Sequence, residues 1–515
     1  MRLLSSSVRV VPSQFRLLTT TSVKSFSVVR PSEASVSSRP AQGFNPSFPC
    51  VDAHEARAEK LSRNISQEPL RTSFPNRGPL EDPKGEEPSY SAPSPANYQT
   101  FHHPGPLPLT YSAPLPSFDV AYETWGTLSP KKDNVILLHT GLSASSHAAS
   151  TELNPAPGWW EAFIGPGKTL DTDKFFILCC NALGGCYGST GPASPMPGGQ
   201  DGEKWATRFP VVSIFDIVRS QFHLLDHLGI DKIYASVGAS MGGMQSIAAG
   251  HLFPERVGRI VSISGSARSG LTGVALRFAQ RSVLMADPNW NKGFYYDGLP
   301  PHAGMKLARQ IATITYRSGP EWEQRFGRRM RSQQPDKDGS NPLRVPALCP
   351  DFLIETYLDH QGEQWCLKYD ANSFIYVSKA MDLFDMTASS LADLQSRRDQ
   401  LDAEFPSSTP ASSSTLPSDP SQTDGPQTPP LTTSYAPFLD DLAAGLKNLK
   451  DIPTLVLGVQ SDILFPVDQQ RDFAEALRRA GNSKVAYFEL GGVWGHDTFL
   501  IDKTNVGGAL RGFLA

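Results

Sequence analysis

The stretch VGASMGGMQS, Val237–Ser246, places Ser240 between glycines directly after the apolar run 233–237. Glycine is costly inside a strand or a helix, because it loses more conformational freedom on folding than any other residue. Gly238, Ser240 and Gly242 fit the pattern G-x-S-x-G, which is typical of a strand, a strained turn and a helix that together expose a serine hydroxyl. The stretch therefore predicts a nucleophilic serine at the end of a strand, provided that the chain also supplies its partners.

Six short apolar runs predict the strands around this turn. The runs are unbroken rather than alternating, which is typical of parallel strands covered on both faces. Residues 213–228, which lie before the third run, carry apolar side chains at helical spacing. Strands that alternate with helices predict an α/β fold with a mostly parallel, doubly wound sheet. The six runs are 135–138, 175–178, 233–237, 260–263, 454–457 and 485–488.

The first residues have a different composition from the rest of the chain. Residues 1–30 are rich in arginine and serine, and the first acidic residue is Glu33. This composition is typical of a mitochondrial transit peptide, and the alternative is a disordered basic tail. We therefore expect a cleaved leader and a location in the mitochondrial matrix.

The other segments are assigned from composition. Residues 271–388 are helix-prone and lack clear strands, which predicts an inserted helical lid subdomain over the sheet. Serine- and proline-rich segments bury too little apolar surface to fold. The predicted order is a transit peptide with a disordered leader at 1–45, a mostly irregular leader at 46–108, the first part of the core at 109–270, the lid at 271–388, a disordered Ser/Pro-rich insertion at 389–434, and the second part of the core at 435–515.

Composition excludes several classes of partner. The 515 residues include 47 basic and 51 acidic side chains, for a net charge of −4. This balance gives no reason to expect a nucleic-acid partner. No apolar run reaches about 18 residues, so no membrane partner is expected. The six cysteines form no C-x-x-C pair, so neither a metal site nor a disulfide framework is predicted.

A serine hydroxyl needs a base, and the base needs an orienting carboxylate. Asp462 follows one apolar run, and His496 follows the next run in a glycine-rich loop. The order serine, aspartate, histidine is the one found where G-x-S-x-G forms a nucleophile elbow. Taken singly, Asp462 could cap the helix after Pro466, and His496 could be one ordinary histidine among eleven. Together with Ser240 they predict a catalytic triad.

Stabilising an oxyanion requires two N–H donors. The backbone N–H of Met241 directly follows the nucleophile, and the second donor should come from the loop after an early strand. Leu142, in the loop 139–145, is the candidate for the second donor. The alternative is that this loop is a plain glycine turn.

Four motifs together resemble the homoserine O-acetyltransferase family, a branch of the α/β-hydrolase superfamily. The resemblance covers residues 110–385 and 435–515, and it is strongest to the fungal mitochondrial serine O-acyltransferases, which transfer acetyl or succinyl. The motifs are Gly238–Gln245, Asn181–Pro192, Ala308–Ala312 with Thr315–Ser318, and Gly495–Phe499.

The resemblance implies an α/β-hydrolase fold and a ping-pong reaction through a Ser240 acyl-enzyme. An acyl-CoA would be the co-substrate with no other cofactor, and L-serine would be the acceptor, in the first step of cysteine synthesis. Arg309 and Asp497 would hold the amino acid with help from Tyr316. The partners implied are small molecules, and a homodimer is compatible with the family.

The sequence leaves three questions open. The loop 139–145 departs from the pattern of homoserine-acting members, which fits a shorter acceptor, but L-homoserine stays an alternative. An esterase, a thioesterase or a binding module could be built on the same fold. A succinyl donor would need a cation for its free carboxylate, and Arg268, Arg277 and Arg281 are candidates among which the sequence does not select.

Overall fold

Each of the six predicted runs overlaps a strand of the protein, whose structure is a computed structural model. The structure describes residues 90, 92–200, 202–331, 346, 348, 350–405 and 435–515, all of which belong to one contact unit of the chain. Eight strands form the main sheet, in the order β1-β2-β6-β3-β7-β8-β9-β10. These are β1 Gln99–His103, β2 Phe118–Trp125, β3 Val135–His139, β6 Phe176–Cys180, β7 Ala235–Ala239, β8 Ile260–Ile263, β9 Thr454–Val459 and β10 Val485–Leu490, and β4 Ile164–Gly165 pairs with β5 Leu170–Asp171 separately.

The sheet is parallel from β6 to β10, and it is covered on both faces. In β3, Val135 and Leu137 join one apolar core, whereas Ile136 and Leu138 join the core on the opposite face. This double burial explains why the runs are unbroken rather than alternating. The edge strand β10 is an exception, because none of its residues is fully buried.

Two antiparallel strands were not predicted. β2 pairs antiparallel with both β1 and β6, and Phe101 of β1 is buried. Within 46–108, the segment predicted to be mostly irregular, Gln99–His103 forms a strand, since backbone pairing with β2 makes it the edge of the sheet. A partial signal existed in β2, where the apolar residues Phe118, Val120 and Tyr122 stand at every second position.

The described helices follow or connect these strands. The predicted helix at 213–228 is confirmed as α1, and its N-cap Ser213 forms a capping box with Asp216. The helices are α1 Ile214–His227, α2 Met241–Leu252, α3 Leu271–Met285, α4 His302–Tyr316, α5 Gly319–Arg325, α6 Leu353–Cys366, α7 Ala371–Asp382, α8 Ala388–Glu404, α9 Tyr435–Gly445, α10 Val467–Arg479, α11 Thr498–Ile501 and α12 Lys503–Leu514.

Helices α3 to α7 form the lid, and they have an apolar core of their own. Leu284, Met305, Trp365 and Phe374 are buried in it. Within 271–388 the described residues form helices, turns and isolated bridges but no strand. The helical prediction for this segment therefore agrees with the described structure.

The disordered insertion predicted at 389–434 begins too early. Ala388–Glu404 is helical, because Thr387 caps its first turn and Leu394 is buried against the main core. The rest of the prediction, 406–434, lies outside the described residues, as does the transit peptide at 1–45.

The described residues lack two further features. They contain no group of three or more His, Cys, Asp or Glu side chains that could hold a metal ion. None of their helices is long and apolar enough to cross a membrane.

Candidate active site

Ser240 occupies the turn between β7 and α2. Its backbone has φ 59° and ψ −125°, a conformation that costs a side-chain-bearing residue free energy. Its N–H donates to the carbonyl of Ile263 at 2.8 Å, which ties the turn to the end of β8. The strained turn predicted from G-x-S-x-G is therefore present.

The glycines around Ser240 allow two backbone segments to approach each other. A Cβ on Gly238 would overlap the carbonyl of Gly242, because the chain folds back within the turn. A Cβ on Gly242 would lie 2.5 Å from the carbonyl oxygen of His139, at the end of β3. Glycine at these positions lets the first turn of α2 pack against the strand that leads into the Leu142 loop.

Asp462 and His496 form a hydrogen-bonded pair. Nδ1 of His496 lies 2.6 Å from Oδ2 of Asp462, and both side chains are buried. Oδ1 of Asp462 accepts from the N–H groups of Leu464 and Phe465 at 2.9 and 2.8 Å. Because α10 begins only at Val467, the carboxylate holds the preceding loop and is not the helix cap that the sequence allowed.

Two carboxylates set the charge state of His496. Burial by itself lowers the pKa of its imidazole, but Asp462 and Asp497 together outweigh burial and raise the pKa above the usual 6.5. A hydrogen bond from Nδ1–H to Asp462 leaves the lone pair on Nε2, the tautomer that a base requires. Nε2 is buried and has no hydrogen-bond partner among the described residues.

The three residues lie beyond the same edge of the sheet. Through β8, Ala239 of β7 is aligned with Leu457 of β9, and β10 is parallel to β9. Ser240, Asp462 and His496 all follow these strands on the carboxyl side. Within the triad, Asp462 and His496 are joined by a hydrogen bond. Ser240 does not donate a hydrogen bond to Nε2 of His496 in the described chain.

The two candidate oxyanion donors are available. Met241 is the first residue of α2, and neither its N–H nor that of Leu142 donates to another described group. The carbonyl of Leu142 accepts a hydrogen bond from the hydroxyl of Tyr369 at 2.7 Å. Tyr369, which lies between α6 and α7, thus fixes the loop from the side of the lid.

Arg309 of α4 is held between aromatic rings. Its guanidinium carbon lies 5.0 Å from the ring centre of Tyr316 and 5.5 Å from that of Trp365. Its Nε is buried without a partner, and it forms no ion pair with a carboxylate in the described part of the chain. An unpaired guanidinium in such surroundings is suited to an anionic ligand.

Asp497 lies beside His496 and forms an ion pair with Arg317 at 3.0 Å. Burial raises the pKa of the Asp497 carboxyl above its ordinary value, while the charges of Arg317, His496 and Arg309 act to lower it. Tyr316, whose hydroxyl lies 3.0 Å from that of Thr313, stacks beneath both guanidinium groups. The three residues predicted to bind the amino-acid substrate, Arg309, Asp497 and Tyr316, thus lie together in one cluster of charged groups.

Comparison with known families agrees with this geometry. The family model described as the alpha/beta hydrolase fold matches residues 134–501. This chain belongs to the α/β-hydrolase family. The fold class predicted from the alternation of strands and helices is confirmed.

The sequences of named relatives align with most of this α/β hydrolase. The serine O-succinyltransferase of Emericella nidulans is 56% identical over 493 residues, which cover 92% of this chain and 89% of that protein. The serine O-succinyltransferase of Schizosaccharomyces pombe is 50% identical over 500 residues, with coverage of 92% and 96%. That of Stenotrophomonas maltophilia K279a is 38% identical, with coverage of 80% and 96%.

Solved structures share the fold. Esterase E22 has a TM-score of 0.62 and 26% identity, covering 81% of this chain and 99% of its own. The homoserine O-acetyltransferase from Bacillus anthracis has a TM-score of 0.62 and 23% identity, covering 81% and 97%. The resemblance expected from the four motifs is confirmed.

The lid of this α/β hydrolase adds site residues that sequence reasoning missed. Arg317 contacts Asp497, Trp365 stacks on Arg309, and Tyr369 holds Leu142. A signal existed for Arg317, which lies in the motif Thr315–Ser318. Trp365 and Tyr369 gave none, because they approach the site from a distant part of the chain.

The three arginines considered for a succinyl carboxylate are all paired. Arg268 contacts Asp385 at 3.1 Å and is partly exposed. Arg277 and Arg281 share the buried carboxylate of Asp382, each at 2.5 Å. None of the three is therefore a free cation in this structure.

Proposed function

We propose that this protein transfers an acyl group from acyl-CoA to the side-chain hydroxyl of L-serine, with succinyl as the group transferred. One observation carries the proposal: the unpaired guanidinium of Arg309 and the carboxylate of Asp497 lie in one charge cluster beside His496. A cation and an anion so placed match the carboxylate and the ammonium of an amino acid. Relatives 56% and 50% identical to the chain bear the name serine O-succinyltransferase, which supports serine as acceptor and succinyl as donor group.

The first step forms an acyl-enzyme. Ser240 Oγ attacks the thioester carbonyl carbon, and its proton passes to Nε2 of His496. The N–H groups of Met241 and Leu142 face the developing oxyanion. The carbon–sulfur bond then breaks, the sulfur of CoA takes the proton from His496, and an ester remains on Ser240.

The second step moves the acyl group to serine. Arg309 binds the α-carboxylate and Asp497 binds the ammonium, so the serine hydroxyl lies near His496. Nε2 removes the hydroxyl proton as the oxygen attacks the ester, and Ser240 leaves with that proton. Exclusion of water from the acyl-enzyme makes transfer faster than hydrolysis.

The deciding experiment measures CoA release by the purified protein with succinyl-CoA or acetyl-CoA as donor and L-serine or L-homoserine as acceptor. Release that depends on serine and is faster with succinyl-CoA supports the proposal. Release that depends on homoserine would identify L-homoserine, and not L-serine, as the acceptor. Release that ignores both amino acids indicates a hydrolase, the second candidate, which the likeness to esterase E22 favours.

Replacing the nucleophile tests the mechanism. Ser240→Ala should lower turnover by about 10⁴-fold or more, since the base alone cannot form the acyl-enzyme. The melting temperature should change little, because alanine keeps a side chain at the same φ. Near-normal turnover in this variant would refute the acyl-enzyme.

Location and metabolic role are also part of the proposal. The arginine- and serine-rich composition of residues 1–30 supports import into mitochondria. An O-acylated serine carries a good leaving group on its β-carbon, so a sulfur nucleophile can replace it to give cysteine. A fluorescent fusion of residues 1–45 tests the first point, and growth of a deletion strain with and without cysteine tests the second.

A further inference from the structure

The end of lid helix α4 is attached to the loop that carries His496. The hydroxyl of Ser318 donates a hydrogen bond to the carbonyl of Val493. Gly495 has φ 61°, and a Cβ on it would lie 2.8 Å from the carbonyl oxygen of Tyr316. The backbones of 316–318 and 493–497 are thus in direct contact beside the proposed site.

Arg317 is the charged link in this contact. Its Nη1 lies 2.5 Å from Oε1 of Glu321, and its Nη2 lies 3.0 Å from Oδ2 of Asp497. The side chain is 14% exposed, and its guanidinium carbon is 5.7 Å from the ring centre of Tyr316. With one arm held by Glu321, the planar fork directs the other arm at Asp497.

Asp497 depends on this link. Its side chain is 16% exposed, and Arg317 is the only basic residue in an ion pair with it in the described chain. A carboxylate in such surroundings without a partner would take up a proton or turn toward solvent. Either change would remove the acceptor that the ammonium of the amino acid requires.

We propose that Arg317 is a positioning residue for the amino-acid half of the reaction. It holds the Asp497 carboxylate toward the ammonium of serine, and it ties the helix that carries Arg309 to the loop that carries His496. It does not touch the substrate, because both of its arms are engaged by protein carboxylates. This assignment rests on the proposed function.

The two half-reactions separate this role from a general one. Acylation is measured as the rapid release of CoA from succinyl-CoA without serine, and transfer is measured as kcat/KM for serine. In Arg317→Gln, KM for serine should rise by at least 10-fold and up to about 100-fold, the effect of a misplaced binding group. Measured at a pH well above the pKa of His496, the acylation rate should stay within about twofold of the unaltered protein, because Asp497 is proposed to contact the amino acid and not the acyl donor.

Two further variants show whether the effect passes through Asp497. Arg317→Lys keeps the charge but loses the fork, so its KM for serine should be intermediate. Arg317→Gln combined with Asp497→Asn should be no worse than Asp497→Asn alone, because the partner is already lost. Additive losses would overturn the assignment.

Arg325→Gln is the matched control. Arg325 approaches the same acid, Glu321, at 3.9 Å but makes no ion pair with Asp497, so this variant should have normal KM for serine. If Arg317→Gln does not fold, Arg317→Lys carries the same comparison.

The outcomes distinguish this assignment from the proposed function. If the unaltered protein shows no serine-dependent CoA release, the proposed function fails and the assignment fails with it. If serine-dependent release is normal but KM for serine is unchanged in Arg317→Gln, only the assignment fails. A rise in KM for succinyl-CoA, or slowed acylation, would mean that Arg317 serves the donor and would likewise overturn it.

Discussion

Ser240 combines chemistry with backbone strain. Its φ of 59° with ψ of −125° belongs to a region that glycine alone enters at little cost, and the surrounding turn enforces it. This conformation lets the chain pass directly from β7 into α2, and the N–H of Met241 directly follows Ser240. Such strain at a proposed nucleophile is expected to be paid for by reduced stability.

Replacing Ser240 with glycine should therefore stabilise the protein. Ser240→Gly should be more stable than Ser240→Ala by about 1 kcal/mol, because glycine relieves the strain whereas alanine keeps it. Urea unfolding of the two inactive variants measures the difference. Equal stabilities would mean that the turn is not strained.

A second residue-scale prediction concerns the pKa of His496. The base must be neutral, so the acylation rate should rise with pH through the raised pKa, with a midpoint above 6.5. Asp497→Asn removes one of the charges that raise this pKa, so the midpoint should move to lower pH. The pH dependence of CoA release without serine measures it.

Asp468→Asn, which alters an exposed acid on α10, is the control and should leave the midpoint in place. A midpoint in Asp497→Asn equal to or above that of the unaltered protein would contradict the assigned electrostatics.

At the scale of elements, the junction of β3, β7 and α2 is packed too closely for side chains. Gly242→Ala would place a methyl group 2.5 Å from the backbone oxygen of His139, which cannot swing away. We expect a loss of about 1–3 kcal/mol in the free energy of unfolding, the usual cost of overpacking. Activity should fall as well, because the Leu142 loop follows His139.

Gly508→Ala provides the comparison. Gly508 lies in α12, and a Cβ there would meet no atom within 4 Å. This variant should be more stable by about 0.5–1 kcal/mol, since alanine favours the helix. Loss of stability in Gly508→Ala, or none in Gly242→Ala, would contradict the packing argument.

Element prediction succeeded where a local pattern was sufficient. Strands β3, β7 and β9 are buried on both faces, so unbroken apolar runs marked them. It failed for β1, whose place depends on pairing with β2, and for α8, whose polar sequence is stabilised by a cap and one buried leucine. The place of β1 is decided by a distant partner, whereas α8 had a local signal in its cap, Thr387.

For the whole molecule, buried histidines should make stability depend on pH. Burial lowers the pKa of His139 to about 3. Between that value and the unfolded value of about 6.5, the unfolded chain binds the proton and the folded chain does not. The free energy of unfolding should therefore fall as pH decreases through this window, by up to about 1.4 kcal/mol per pH unit from this residue.

His139→Gln should reduce that slope, and urea unfolding at several pH values measures it. His147 and His496 have raised pKa values, so they change the free energy of unfolding with pH in the opposite sense. Their contribution is the same in the variant and in the unaltered protein, so the comparison isolates His139. His360→Gln, which alters an exposed histidine, should leave the slope unchanged. Identical slopes in all three proteins would refute the assigned burial effect.

The amino-acid sequence alone was sufficient to predict the α/β architecture, the turn at Ser240, and the choice of Asp462 and His496 as partners of Ser240. These features are local: apolar runs specify buried strands, glycines specify a close turn, and parallel strands bring the residues after them to one edge. The roles of Arg309, Asp497 and Tyr316 in binding the amino acid were predicted only from the resemblance of motifs to a known family.

How these residues are held depends on long-range packing. Tyr369 reaches Leu142 across 227 positions, Trp365 covers Arg309, and Arg317 pairs with Asp497. Such contacts join segments that are far apart in the chain and depend on how the lid packs on the sheet. No local pattern encodes them, because each arises from the relative placement of two elements and not from the preference of either one.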